Sequence, residues 1–370
     1  MMTDTEIAQR RLQAQQLAGV PEATPEAVVQ SLGAVQAQDY AAALWAVGLR
    51  MGQATEGVIA RAVADGTILR THVLRPTWHF VTPADIRPLL ALTAPRVNVA
   101  NATWYRQFAL DDATFARSNA ALTTALADGK HRTRPQLAVV LAEAGIATAN
   151  RDRGQRLSFL MMRAELDGVI CSGAPVGKQQ TYALLDERAP ATVTPTRDEA
   201  LAALARRYFT GHGPATLPDF IWWSGLTTVD ARNGLAIAKL HLQHETVGDR
   251  TYWFAASAPP MPDASADATD AADTAYLLPN YDEYTVGYTD RSAVFAASHT
   301  DKLNARSNIL FHHAMVHAGR IVGTWKRAFN KGAVVITLAP FAPLTDAQTH
   351  AFAAATARYS AFLGLPIREG

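Results

Sequence analysis

Hydrophobic residues recur at helical spacing through the first 65 positions and then change period. Ile7, Leu12 and Leu17 stand among charged and glutamine residues and predict an amphipathic helix, closed by Gly19 and Pro21. Thr24-Pro25-Glu26 predicts the N-cap and first turn of a second helix, which carries Val28, Val29, Leu32 and Val35 on one side and has "GAVQAQ" as its last part. A third helix is predicted from Tyr40 to Leu49, with Asp39 as its N-cap, and a fourth from Thr55 to Ala64. "GTILRTHVLRPTWHFVT" then has the β-branched and aromatic content of two short strands, with Pro76 in the connection. Several helices followed by a two-stranded ribbon is the order of a winged helix-turn-helix.

That order returns. After a helical linker with Trp104 and Tyr105, a proline-initiated helix runs from Thr133 to Ile146 and an amphipathic one from Arg151 to Gly168, followed by strand, wing and strand in "VICSGAPVGKQQTYALLD". A third copy reads as helices in "RDEALAALARRYFTGHG" and "PATLPDFIWWSGLTTVDARNGLAIAKL", with a turn at Ser224-Gly225 and a hairpin turning at Gly248-Asp249. The segment from Ser257 to Ala275 is small, acidic and proline-bearing, hence a flexible loop. Beyond it "AYLLPNYDEYTVGY" and "GRIVGTWKRAFNKGAVVITLAPF" predict a small sheet or barrel, with Phe329-Asn330-Lys331-Gly332 as a hairpin tip, and a last helix from about Thr345 to Phe362. The expected class is α+β: three tandem winged helix-turn-helix modules with a β-rich C-terminal element. The predicted boundaries are 1–83 for the N-terminal helix and first module, 84–190 for the linker and second, 191–256 for the third, 257–275 for the acidic loop, and 276–370 for the rest.

Composition narrows the function classes without choosing among them. With 34 basic and 33 acidic residues the net charge is +1, so any nucleic-acid surface must come from local clustering. The single cysteine, Cys171, excludes an internal disulfide framework and a Cys-rich zinc site. No signal-like N-terminus and no long apolar run are seen, so a soluble cytoplasmic protein with no membrane partner is expected.

"VQAQD", the arginine-bearing ribbon "THVLRPTWHFVT", and the later "LLPNYDEYTVGY" and "VGTWKR" resemble the winged-helix family that includes the bacterial AlkZ- and YcaQ-like DNA glycosylases. The likeness covers nearly the whole chain. It implies tandem winged-helix modules around a concave DNA-sized surface, and a catalytic motif of Gln, apolar residue, Gln in the AlkZ-like branch or Gln, apolar residue, Asp in the YcaQ-like branch. Gln36-Ala37-Gln38 has the first form, at the junction of the second and third helices. Glutamine does not ionise, so such a pair acts by holding something: a water against the anomeric carbon of a sugar whose N7-alkylated purine is already a good leaving group. Asp39, the nearest ionisable group, is a candidate base as well as an expected cap.

The expected partner is double-stranded DNA, bound by a monomer without metal or cofactor. Arg70, His72 and Arg75 on the first ribbon, and Arg320, Lys326, Arg327 and Lys331 near the tip of the C-terminal hairpin, are the candidate phosphate contacts. Such a hairpin end suits the narrow minor groove. Arg151, Arg153 and Arg156 form another cluster on the second module's reading helix, which repeated use of the fold can leave buried. His313 and His317 have the spacing of a helical metal pair, but no surrounding motif supports a metal site. Trp222-Trp223 is expected in the core, Tyr281 to Tyr284 either lines the cavity or caps a sheet edge, and "GAPVGKQ" lacks the spacing of a phosphate loop. The expected activity is removal of N7-modified purines, bulky or crosslinked adducts included. The main rival is a non-catalytic DNA-binding regulator or damage-shielding factor, and a protein-interaction scaffold is a third possibility.

Overall fold

Threonine side chains start many of the helices. Thr3, Thr133, Thr196, Thr216 and Thr345 each accept the backbone N–H three residues on, while the residue at that position bonds back to the threonine N–H. The computed structural model describes residues 1–148, 154–191, 193, 195–256, 274–302 and 308–368.

After helix α1 (Asp4–Ala14) come α2 (Pro25–Leu32), strand β1 (Val35–Gln36), α3 (Tyr40–Gly48), α4 (Glu56–Asp65), β2 (Leu69–Val73) and β3 (Thr77–Val81). The three strands form an antiparallel sheet in the order β1-β3-β2. A 25-residue helix, α5 (Pro83–Gln107), leads to α6 (Asp112–Leu126), β4 (Arg132–Thr133), α7 (Arg134–Glu143), α8 (Gln155–Leu166), β5 (Ile170–Ser172), β6 (Thr181–Leu184) and the short α9 (Leu185–Arg188). Their sheet has the same order, β4-β6-β5. The sequence then repeats as α10 (Arg197–His212), a single bridge between Ala215 and Trp253, α11 (Leu217–Ser224), α12 (Thr228–Ala238) and the hairpin β7 (Leu242–Val247) and β8 (Arg250–Ala255). Helix, short strand or single bridge, two helices and hairpin thus recur three times among the described residues.

The C-terminal element consists of β9 (Ala275–Leu278), a one-turn helix α13 (Glu283–Val286), β10 (His313–His317), β11 (Arg320–Asn330), β12 (Ala333–Pro340), α14 (Asp346–Leu363) and β13 (Ile367–Arg368). Its five-stranded sheet runs β13-β12-β11-β10-β9, antiparallel except for β12 with β13. The whole is a mixed α+β fold. Among the described residues no helix is long and apolar enough to cross a membrane.

Two local readings of the sequence are corrected. The second helix stops at Leu32, because Gly33 takes a positive φ of 83° that a β-carbon disfavours, and Val35 and Gln36 become a strand paired with Phe80 and His79. The apolar period continued through Val35 because a buried strand needs apolar residues as much as a helix does. The stretch around Tyr281 to Tyr284 is not strand-like: Asp282 caps the single turn of α13 by accepting the Tyr284 N–H. The acidic loop falls almost wholly outside the described residues, as do Arg151 and Arg153.

The sheet β1-β3-β2 lies between two cores. Val35, Ala37 and Phe80 point into one shared with α1 to α4, the C-terminal sheet and α14, where Trp45, Trp325 and Tyr359 pack edge to face. Leu69, Val73 and Val81 point into the other, with α5 and α10 to α12. The hairpin turn between β2 and β3 is seated on the third unit: a β-carbon on Gly225, the C-cap of α11, would come within 2.3 Å of the Leu74 carbonyl oxygen.

One ion pair fastens α13 to this frame. Arg50 donates to both oxygens of Asp282 at 2.9 Å, and also to the Ala46 carbonyl and to Gln15 Oε1, with both charged side chains wholly buried. Removing one partner strands the other charge in the interior, so Arg50→Ala should lower unfolding stability by about 3–5 kcal/mol. Arg197→Ala, which breaks a pair whose arginine is half exposed, should cost no more than about 1 kcal/mol. Urea denaturation of the two variants checks the contrast, and equal losses would mean that the buried pair is not a structural anchor.

Candidate active site

In a strand alternate side chains share a face, so with Val35 turned into one core, Gln36 is directed to the other side of β1, and Gln38 follows two residues on, in the bend before α3. Both amides are held by the β2–β3 hairpin. Gln36 Oε1 accepts from Arg75 Nη2 at 2.9 Å, and Gln38 Oε1 accepts a longer bond, 3.3 Å, from the Trp78 backbone N–H. Arginine only donates, which fixes the orientation of the Gln36 amide: oxygen toward Arg75, NH₂ away from it. Gln36 is buried and Gln38 exposed, so the pair spans the boundary between interior and solvent. Asp39 caps α3, its Oδ1 accepting the Ala42 N–H at 3.1 Å. Its charge also acts on Arg70, His313 and Tyr359, which places it between the first hairpin and the C-terminal element.

Beneath Gln36 lies Glu283, a residue that sequence reasoning left among several in the Tyr281 to Tyr284 stretch. Its side chain is completely buried. Oε1 accepts the Gln36 backbone N–H at 2.8 Å, while Oε2 accepts Trp223 Nε1 at 2.8 Å and lies 3.3 Å from His212 Nε2. Burial alone would raise its pKa, but the hydrogen bond and charge of His212, with the Gln36 N–H and the proximity of His79, bring it net below the usual carboxylate value. Burial lowers the Arg75 pKa, opposed by the Glu283 charge.

The expected DNA contacts divide. His72 is corrected outright: it is buried, with Nδ1 bonded to the Glu165 carboxylate of α8, so it joins the first and second units rather than meeting a phosphate. Arg75 is half-buried and occupied by Gln36 and the Trp222 carbonyl. Arg70 is also half-buried, donating to the Ala37 carbonyl and lying 4.4 Å from the Trp78 ring centroid. Arg320 is corrected in position. It begins β11, and ten further residues of strand put it roughly 33 Å from the end at Asn330, far from the tip. Lys326 and Lys331 are exposed, and Arg327 reaches the Tyr359 hydroxyl while lying 5.9 Å from the ring of Phe329, itself exposed beside the tip.

Other expectations resolve similarly. Trp223 is fully buried as anticipated, but Trp222 is half exposed beside Arg75. Arg156 is buried against the Phe108 and Ala147 carbonyls, so the second unit's third helix turns this cation inward. His313 and His317 belong to a strand, where the helical pairing on which a metal reading depends does not form.

A mixed α+β fold with Gln36 in a strand between two cores and Gln38 just beyond it, beside arginine and aromatic side chains, defines the class: the chain belongs to the DNA glycosylase AlkZ-like family, whose model matches residues 29–362. Among its relatives, the interstrand DNA cross-link repair glycosylase of Streptomyces sahachiroi is 27% identical over 365 residues, 94% of each chain. The solved structure of the DNA glycosylase AlkZ of Streptomyces sahachiroi shares the fold over the full length of both chains, with a TM-score of 0.77 at 23% identity.

His79, in register with Gln36 on β3, gives the site a pH signature. Its Nδ1 lies 3.0 Å from the Thr77 carbonyl, which can only accept, so Nδ1 carries the proton and Nε2 is a bare acceptor. Burial and then the nearby Arg75 push its pKa down to about 3. Below the unfolded value near 6.5 the unfolded chain takes a proton that the folded chain refuses, so stability falls with acid from that point toward the folded pKa. Between pH 7 and pH 5 the loss from this one group should be about 2 kcal/mol. Glu283, with a depressed pKa, loses its contribution only below the normal carboxylate range, outside that window. Urea midpoints at the two pH values should therefore differ less in His79→Gln than in the parent, and an unchanged difference would show that His79 is not a buried neutral imidazole.

Proposed function

We propose that the chain is a monofunctional DNA glycosylase that releases N7-alkylated purines, bulky or crosslinked adducts included, by water attack on the glycosidic bond. The three recurring units are read as winged-helix modules with the boundaries predicted from the sequence, and the enzyme as a monomer acting on double-stranded DNA without a cofactor. The observation that carries the reading is the placement of Gln36 and Gln38: two carboxamide oxygens, one at the end of β1 and one in the bend after it, each held by one donor of the same β2–β3 hairpin. A carbonyl oxygen has two lone pairs, so each keeps one for a water proton. An N7-alkylated base departs as a neutral species and needs no acid, which leaves the protein to place the nucleophile and to stabilise a cationic sugar. Asp39 has Oδ1 in its cap and Oδ2 for a proton from that water. Lys326, Arg327 and Lys331, with exposed Phe329, suit phosphate contact and insertion at a minor groove. The family relationship favours this over a non-catalytic DNA-binding protein, since it ties the chain to glycosylases along nearly its whole length.

Gln36→Ala and Gln38→Ala should each leave the fold intact and lower base release from N7-methylated DNA at least about tenfold, the scale of a lost oriented hydrogen bond in a reacting site. Free base and abasic sites are measured directly, and wild-type release by the double variant would remove the pair from the mechanism. Asp39→Asn separates cap from base, because asparagine caps as well as aspartate but does not take the proton. A drop in single-turnover rate with unchanged melting temperature supports the base role; an unchanged rate leaves Asp39 as a cap alone.

A further inference from the structure

We propose that Glu283 is the positioning residue for Gln36, an inference that rests on the glutamine reading above. Gln36 has two handles. Its backbone N–H is taken by Glu283 Oε1 at 2.8 Å, and its side-chain oxygen is taken by Arg75, whose guanidinium sits within the field of the same carboxylate. Glu283 therefore acts on both ends of the residue, directly on the main chain and through Arg75 on the amide. Its other oxygen faces Trp223 Nε1 and His212 Nε2 on α11 and α10. One carboxylate thus joins β1 of the first unit, two helices of the third unit and α13 of the C-terminal element, although β1 itself is only two residues long and pairs with a single neighbour.

The donors around Glu283 explain why a carboxylate is needed there. Gln36 N–H and Trp223 Nε1–H are both obligate donors, and they approach different oxygens. A carboxylate accepts at both. The carboxamide introduced by Glu283→Gln accepts at one only, so either the Gln36 N–H or the indole N–H faces an NH₂ group, and the negative charge that steadies Arg75 is gone. The side chain is otherwise the same size and leaves the packing of the site unaltered. Trp223→Phe removes the obligate donor at that oxygen and leaves only His212 Nε2, a ring nitrogen that accepts from the amide NH₂ in one tautomer, so the amide oxygen can turn to Gln36.

The experiment compares the parent chain, Glu283→Gln, Glu283→Gln with Trp223→Phe, and Gln36→Ala on N7-methylated duplex DNA. Single-turnover base release is followed at saturating protein, with DNA affinity and hydrogen exchange of the segment containing Gln36 measured alongside. Glu283→Gln should lower the single-turnover rate at least about tenfold with affinity changed less than about twofold, the pattern of a lost transition-state interaction. Exchange of the Gln36 segment should quicken at least about tenfold, and the double variant should recover part of both. An unchanged rate, an unchanged exchange pattern, or a rate loss matched by an equal loss of affinity each overturns the inference. Wild-type release by Gln36→Ala overturns the glutamine reading itself, and the role of Glu283 in catalysis with it. Inactive Gln36→Ala beside fully active Glu283→Gln overturns the positioning role alone.

Discussion

The ion pair between Arg50 and Asp282 is the constraint from which the candidate site follows. A buried carboxylate is tolerable only when its charge and its lone pairs are met, and Asp282 meets both through a two-pronged guanidinium and the N–H of Tyr284. That fixes where α13 begins. The next residue in the chain is Glu283, so its carboxylate is delivered beneath Gln36 by a four-residue helix that has no stability of its own. Arg50 follows α3, the helix capped by Asp39, and the same α3 supplies Trp45, whose indole donates to the Leu277 carbonyl. The first unit and the C-terminal element are tied twice, once from the C-terminal half of this helix and once just beyond its end.

The position of the sheet between two cores accounts for the different surroundings of the glutamines. A strand whose neighbours are buried on both faces has few places for a polar side chain, and Gln36 occupies one only because Arg75 and Glu283 meet its polar groups. Gln38 comes after the last ladder contact, where the Ala37 N–H bonds to the Trp78 carbonyl, and so reaches solvent. An interior amide set by two charged neighbours and a surface amide set by one backbone donor make a site rigid at its base and open at its rim.

Much of this architecture was legible in the sequence. Thr24-Pro25, Asp39, the β-branched and aromatic content of the first ribbon and Gly332 in the turn after β11 encode local geometry, and local geometry is what composition, periodicity and capping report. The end of α2 was misplaced because Val35 continues an apolar pattern that Gly33 interrupts by conformation rather than by polarity. Glu283 was not singled out for a different reason: its partners Gln36, His212 and Trp223 lie 247, 71 and 60 residues away, and no local pattern marks a carboxylate whose donors are so dispersed. His72 read as a DNA contact because a histidine between two arginines on a ribbon looks like one until the Glu165 opposite it, 93 residues on, is in place.

The same accounting explains why a net charge of +1 says little about the surface of this chain. Arg11 donates to the Pro214 carbonyl and stacks 3.7 Å from the centre of the Tyr288 ring, Arg50 is locked to Asp282, and Arg188 donates to the last carbonyls of α4. These guanidiniums bind one unit to another, a task that suits arginine because its planar fork can serve several acceptors at once. Cations committed to carbonyls and carboxylates inside the protein contribute little to a field outside it. The outward field is set by the basic residues that reach solvent, and two of them, Lys326 and Lys331, sit on the hairpin of the same C-terminal element that carries Glu283. One element thus supports the strand that bears Gln36 from within and carries a charged hairpin at the surface, so shifts of that element would move Glu283 and that hairpin together.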